Sequence, residues 1–92
     1  MTTTLEIDAP KHVSRALAGD ARGVAAALIA EERRTFKSAG RSTLRAVADQ
    51  AAELTARELV RGFDEVARTY ATAFLLLNTR WLVAVRRSLK GL

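Results

Sequence analysis

The sequence has no cysteine and only one histidine, and these two shortages remove most of the side chains on which catalytic and metal sites depend. A chain without thiols forms neither disulfides nor thiolate metal sites. His12 has no cysteine to activate, and no serine stands in a nucleophile motif. Phosphate-binding loops and dinucleotide fingerprints are absent as well. We therefore expect a protein that is not an enzyme, with no catalytic residue, no metal and no cofactor.

Proline and glycine are scarce too, with one proline and five glycines among 92 residues, so the few present mark the predicted ends of helices. Pro10 suits a first helical turn, and Gly19 followed by Asp20 is typical of a helix stop and a new N-cap. Gly40 is the clearest stop, with Ser42 as the next cap. The residues between these points are mostly strong helix formers, which predicts an all-α fold.

The predicted organisation is a single all-helical domain of 92 residues. It begins with a short extended arm at 1–9 and continues with one or two short helices at 10–39. It ends with a long amphipathic helix or helix pair at 42–90. We expect these elements to pack as a helical hairpin or an elongated bundle.

Gly62 is the one glycine inside that last segment. An interior glycine costs a helix only about 1 kcal/mol, and the apolar spacing passes through this position without a change of phase. We therefore predict one helix that continues through Gly62 and is about 70 Å long. The alternative is a break near Gly62, with Asp64 capping a new helix.

A row of large apolar residues follows this segment at spacings of three and four residues. Its period of about 3.75 residues lies above the heptad value, which disfavours a left-handed coiled coil. Two further apolar residues, Leu76 and Val83, fall on a separate side of the same helix. The row consists of Leu59, Phe63, Val66, Tyr70, Phe74, Leu77, Trp81, Val85 and Leu89.

A helix that is apolar on two sides is expected to be buried on two sides, one of them by a second molecule. Trp81 is the predicted anchor, because tryptophan is enriched among interface hot spots. The alternative is that the row closes only on the chain's own Leu17, Val24, Leu28 and Phe36. The predicted oligomer interface comprises Phe63, Val66, Tyr70, Phe74, Leu76, Leu77, Trp81, Val83 and Val85.

Negative charge is absent from the last 27 residues, where the whole net charge of +5 resides. The predicted basic patch consists of Arg68, Arg80, Arg86, Arg87 and Lys90. We expect Arg80 and Arg87 to pair with acids of a neighbouring chain, such as Glu53, Glu58 or Asp64. Contact with nucleic-acid phosphates or with anionic lipid are the alternatives.

A long uninterrupted hydrophobic run is missing as well. Ala71 to Val85 is 15 residues long and contains Asn78 and Arg80, whereas a membrane span needs about 20 predominantly apolar residues. The N-terminus also lacks the pattern of a secretory signal, so we expect an intracellular protein. A membrane-surface amphipathic helix remains an alternative, with Trp81 at the headgroup level.

These features predict a non-enzymatic structural or assembly protein that acts through helix–helix packing as a subunit of a homo-oligomer or hetero-oligomer. A basic helical protein that binds nucleic acid or regulates is the first alternative, and a peripheral membrane protein is the second. No motif is specific enough to name a family. In composition alone, the threonine-rich start followed by Arg/Ala-rich amphipathic helices resembles small structural proteins of tailed phages, which implies a virion subunit.

Overall fold

The computed structural model describes residues 10–36 and 41–91, and within these ranges the chain forms four helices and no strand. The predicted all-α class is therefore confirmed, and the helices pack into a compact bundle. The predicted arm at 1–9 and the predicted stop at Gly40 lie outside the described residues. The helices are α1 (Lys11–Leu17), α2 (Ala21–Phe36), α3 (Arg41–Val60) and α4 (Asp64–Lys90).

The turn between α1 and α2 is a Schellman motif built around a glycine in the left-handed region. Gly19 has a φ of 75°, its N–H donates to the carbonyl of Ala16, and the Asp20 N–H donates to the carbonyl of Arg15. Asp20 then caps α2, because its Oδ1 accepts a hydrogen bond of 2.9 Å from the Gly23 N–H. The stop and the cap predicted at these two positions are confirmed.

The same motif ends α3, and the predicted continuity through Gly62 is wrong. Gly62 has a φ of 85°, its N–H donates to the Leu59 carbonyl, and the Phe63 N–H donates to the Glu58 carbonyl. These bonds satisfy carbonyls that the end of a helix leaves open. The turn also lets α4 fold back on α3 and bury apolar surface that a continuous helix leaves in water, which outweighs the small cost of interrupting the helix.

The core lies where α3 and α4 pack against each other and where α1 and α2 cover them. Small residues on the facing surfaces, including Ala48, Ala51 and Ala73, are fully buried and allow the helices to approach closely. Val47, Ala51 and Leu54 of α3 are buried in this core, and Leu44 packs against it. The largest fully buried side chains are Tyr70, Leu28, Leu77, Val24 and Val47.

The last helix is longer than the surfaces that cover it. α4 has 27 residues, about 40 Å of helix, whereas the antiparallel α3 has 20. Leu77 is the last buried residue of α4, and no residue from 78 to 90 is buried. The principal extents of 54 × 30 × 18 Å reflect this projecting end. The C-terminal half of α4 is therefore only partly covered by the rest of the described bundle.

Candidate functional site

The predicted row on α4 is largely used by the chain's own core. Tyr70 and Leu77 are 2% and 0% exposed, so their assignment to an interface with another chain is wrong, because the chain itself already covers them. Val66 and Phe74 are half-buried and pack against the same core. Val24 and Leu28, two of the residues proposed to close on this row, are buried there as well.

The row is interrupted at the turn between α3 and α4. Phe63 lies in this turn and is 51% exposed, with the Arg61 guanidinium 5.4 Å from its ring centroid. Leu17, one of the residues that the alternative placed over the row, is 72% exposed at the end of α1 and so gives the row little cover. Phe63, Leu17, Val13 and Arg61 line an open cavity of about 240 Å³ at this end of the bundle. The side chain of Phe36 lies outside the described residues.

Trp81 is half-buried, and Arg45 of the same chain covers part of its ring. The Arg45 guanidinium carbon lies 4.9 Å from the ring centroid, a cation–π geometry. Arg45 is also 3.6 Å from Asp49 Oδ1, one turn further along α3. This arrangement holds α4 against α3 near the first turn of α3. The role of Trp81 as an anchor for a partner stays a prediction, as does that of the half-buried Val85.

The outer side of α4 carries three leucines that the predicted interface omitted or placed elsewhere. Leu75, Leu82 and Leu89 are 60%, 48% and 62% exposed and follow one another at intervals of seven residues. They lie about 140° around the helix from Leu77, on the side away from the core. We name these three residues the outer leucine row. Their seven-residue spacing is the sequence signal that could have identified them.

The other predicted strip flanks this row. Val83 is 42% exposed and Leu76 is half-buried, so neither is enclosed by the core. Between the strip and the outer leucine row lies Thr79, whose hydroxyl donates to the Leu75 carbonyl of its own helix at 2.8 Å. Thr72 does the same with the Arg68 carbonyl at 3.0 Å. These threonines therefore need no polar partner from outside.

The five cations of the predicted basic patch are all exposed along α4. In residues 10–36 and 41–91, none of them pairs with a carboxylate. Arg86, Arg87 and Lys90 line one shallow depression together with Val83. The patch therefore combines unpaired positive charge with exposed apolar surface at the projecting end of α4.

Glu58 is not available as an acid for a neighbouring chain, which corrects one of the predicted pairings. It is 6% exposed, and its Oε2 lies 3.3 Å from Nε of the adjacent Arg57 and 3.4 Å from Arg61 in the turn that follows α3. A buried carboxylate held by two guanidiniums serves its own chain. Glu53 and Asp64 are exposed, and their pairing with a neighbour stays a prediction.

The single histidine is a buried structural residue. His12 Nδ1 and the Tyr70 hydroxyl are 2.8 Å apart, and the two rings meet edge to face. Burial lowers the pKa of His12, and the Arg57 charge lowers it further against the opposing effect of Glu31. Burial also raises the pKa of Tyr70, with the Glu58 charge acting in the same direction. Both groups are therefore neutral near pH 7 and hold α1 against α4.

Further site chemistry is limited in the part of the chain that the structure describes. No three side chains among its histidines, aspartates and glutamates are grouped as a metal ion would require. None of the helices in these ranges has a stretch long and apolar enough to cross a bilayer. Comparison with protein-family models, with curated proteins and with solved structures finds no match. The outer side of α4 is therefore the feature that most needs a functional explanation.

Proposed function

We propose that this protein is a non-enzymatic assembly subunit that joins a homo-oligomer or hetero-oligomer by packing the outer side of α4 against a helix of another polypeptide. The observation that carries the proposal is the outer leucine row. Isolated exposed leucines are ordinary, but three at seven-residue intervals along one helix occupy one of the two apolar positions of the seam used in helix–helix pairing. The i, i+7 interval is also one of the anchor spacings used in helix-in-groove recognition.

Burial of this surface favours association, but the apolar contribution alone barely offsets the cost of bringing two molecules together. Burying a leucine completely is worth about 1.5–3 kcal/mol, so each half-exposed leucine of the row contributes roughly 1 kcal/mol. Two facing rows then supply about 6 kcal/mol, at the lower end of the 4–15 kcal/mol that association costs. The flanking Leu76 and Val83 add apolar area. The polar and charged groups around the row decide whether binding is strong.

Leu82→Glu tests the proposal, because it places a charge at the centre of the row without touching the core. The probe is a synthetic amphipathic helix with leucines at seven-residue intervals and glutamine at the flanking positions. Fluorescence anisotropy measures its binding, and light scattering measures the mass of the chain alone against 10.0 kDa for one copy. We expect Leu82→Glu to reduce both peptide binding and any self-association.

Val60→Glu is the matched control, because Val60 is 88% exposed but lies at the end of α3, away from the row. This variant loses an exposed aliphatic side chain and gains the same charge. We expect it to bind the probe as the parent does. The proposal is wrong if the parent stays at the mass of one copy and binds no helix, or if the two variants lose binding equally.

The basic end of α4 favours contact with nucleic acid as a second candidate. Arg86, Arg87 and Lys90 stand together, exposed and without carboxylate partners among the described residues. Phosphate contacts of this kind release counterions, so binding to duplex DNA falls steeply as salt increases. Gel-shift titrations at two salt concentrations measure this dependence. Binding that is weak at low salt removes this candidate.

A further inference from the structure

The charges beside the outer leucine row all have one sign. Arg86 and Arg68 lie about 40° around the helix from Leu82, and Lys90 lies about 80° away on the same flank. No acidic residue occurs from Val66 to the end of the chain. Any helix that packs on the row therefore has one of its flanks close to these cations.

A second copy of the same surface fits this arrangement poorly. Packed helices lie about 8–10 Å apart, which is no more than the screening length of about 10 Å at 0.1 M salt. Two copies of α4 that face each other at Leu82 bring Arg86 and Lys90 of each chain to the stretch between Phe74 and Lys90, which contains no acid, because Asp64 and Glu65 lie in the first turn of α4, well before the row. In a self-paired complex, repulsion between these cations therefore opposes the favourable burial of the leucines.

The row also fits nucleic acid or lipid less well than it fits a helix. Phosphate contacts satisfy the cations but leave Leu75, Leu82 and Leu89 in water. An interfacial membrane helix needs a broad apolar face, whereas Thr79 and Arg86 separate the row from the strip at Leu76 and Val83. A narrow apolar line with a charged flank is the pattern that a second helix covers.

We propose that the outer leucine row binds an acidic amphipathic helix of a different polypeptide, whose apolar stripe is flanked by aspartate and glutamate. This inference rests on the proposed function, since it names the partner of the same surface. The helix lies antiparallel to α4. In that orientation its N-terminal turn, where acidic residues are most favourable, meets Arg86, Arg87 and Lys90 at the C-terminal end of α4.

Three synthetic helices of equal length test the inference. They share the leucine row and carry glutamate, glutamine or lysine at the flanking positions. We expect the glutamate peptide to bind about tenfold more tightly than the glutamine peptide at low salt, because several rim ion pairs each add a modest amount. The lysine peptide binds most weakly. Raising the salt narrows the difference between the three peptides.

Arg86→Gln combined with Lys90→Gln identifies the source of the preference. We expect this variant to lose most of the preference for glutamate and to keep the parent's affinity for the glutamine peptide. Arg22→Gln combined with Arg33→Gln removes two exposed charges from α2 and is the matched control. It keeps the preference.

The outcomes separate the inference from the proposed function. If the glutamine and glutamate peptides bind equally well, or if the chain pairs with itself more tightly than with the glutamate peptide, the inference is wrong and the assembly function stands. The inference is also wrong if duplex DNA or anionic vesicles bind more tightly than the glutamate peptide and Leu82→Glu leaves their binding unchanged. If no peptide binds and the mass remains that of one copy, the proposed function fails as well.

Discussion

The hydrogen bond between His12 and Tyr70 should contribute measurably to the stability of this bundle. Tyr70→Phe removes one hydroxyl and keeps the ring in the core, so packing changes little. The change leaves the His12 ring nitrogen, which lies 2.8 Å from that hydroxyl, buried without its partner. Losing a buried hydrogen-bond partner costs about 1–3 kcal/mol. For a chain of this size, each 1 kcal/mol corresponds to a change of about 4–8 °C in Tm.

Urea denaturation followed by circular dichroism measures the change, at one fixed protein concentration because association also affects apparent stability. Thr72→Val is the control, since it removes a hydroxyl that bonds within its own exposed helix. We expect the control to change the free energy of unfolding by less than about 0.5 kcal/mol. We expect the double variant His12→Leu/Tyr70→Phe to be about 1–2 kcal/mol more stable than the sum of the two single changes predicts. Additive single changes, or a Tyr70→Phe variant as stable as the parent, would refute the reasoning.

Two further predictions concern pH and the turn before α4. The pKa of His12 in the folded chain lies below its ordinary value of 6.5, so the unfolded chain binds the proton first as the pH falls. The contribution of His12 to the free energy of unfolding is therefore complete above about pH 6.5 and is lost as the pH falls towards the lowered pKa. Urea titrations from pH 7 to 5 should show the free energy of unfolding decreasing in the parent and decreasing less in His12→Leu. Gly62→Ala, at a φ of 85° with no neighbouring atom within 4 Å, should destabilise the chain by about 1–2 kcal/mol through backbone strain alone. Gly91→Ala, with a φ of −74°, should have little effect, and equal losses in the two variants would contradict the role of the left-handed turn.

Local features of this fold could be predicted from the sequence because they depend on neighbouring residues. A glycine that adopts the left-handed conformation and an aspartate that caps the next helix act within a few positions, so the boundary at Gly19 and Asp20 was predictable. Gly62 shows the limit of such reasoning. The apolar phase passes through it unchanged, but phase along a helix does not reveal whether the chain reverses direction. Only the packing of α3 on α4 decides that.

The division of α4 into an inner and an outer side could not be predicted in full either. Tyr70 and Leu75 belong to rows of comparable apolar character, and the sequence does not state which row the chain's own helices cover. The partner of Tyr70 is His12, 58 positions away, and such a contact has no local signal. The polar groups of the core were therefore missed. The five cations of the predicted basic patch are exposed, as charged side chains usually are, and their binding role stays a prediction.

The projecting end of α4 has a consequence for amide hydrogen exchange. Up to Leu77 the backbone hydrogen bonds of this helix are protected by a packed core, so their amides exchange only when the bundle opens widely. Beyond Val85, the last half-buried residue of α4, the helix depends on its own stability, and short unsupported helical segments are marginal in water. Amides after Val85 should exchange much faster in the isolated chain. A docked helix slows them, so the protected length of α4 reports occupancy of its outer side.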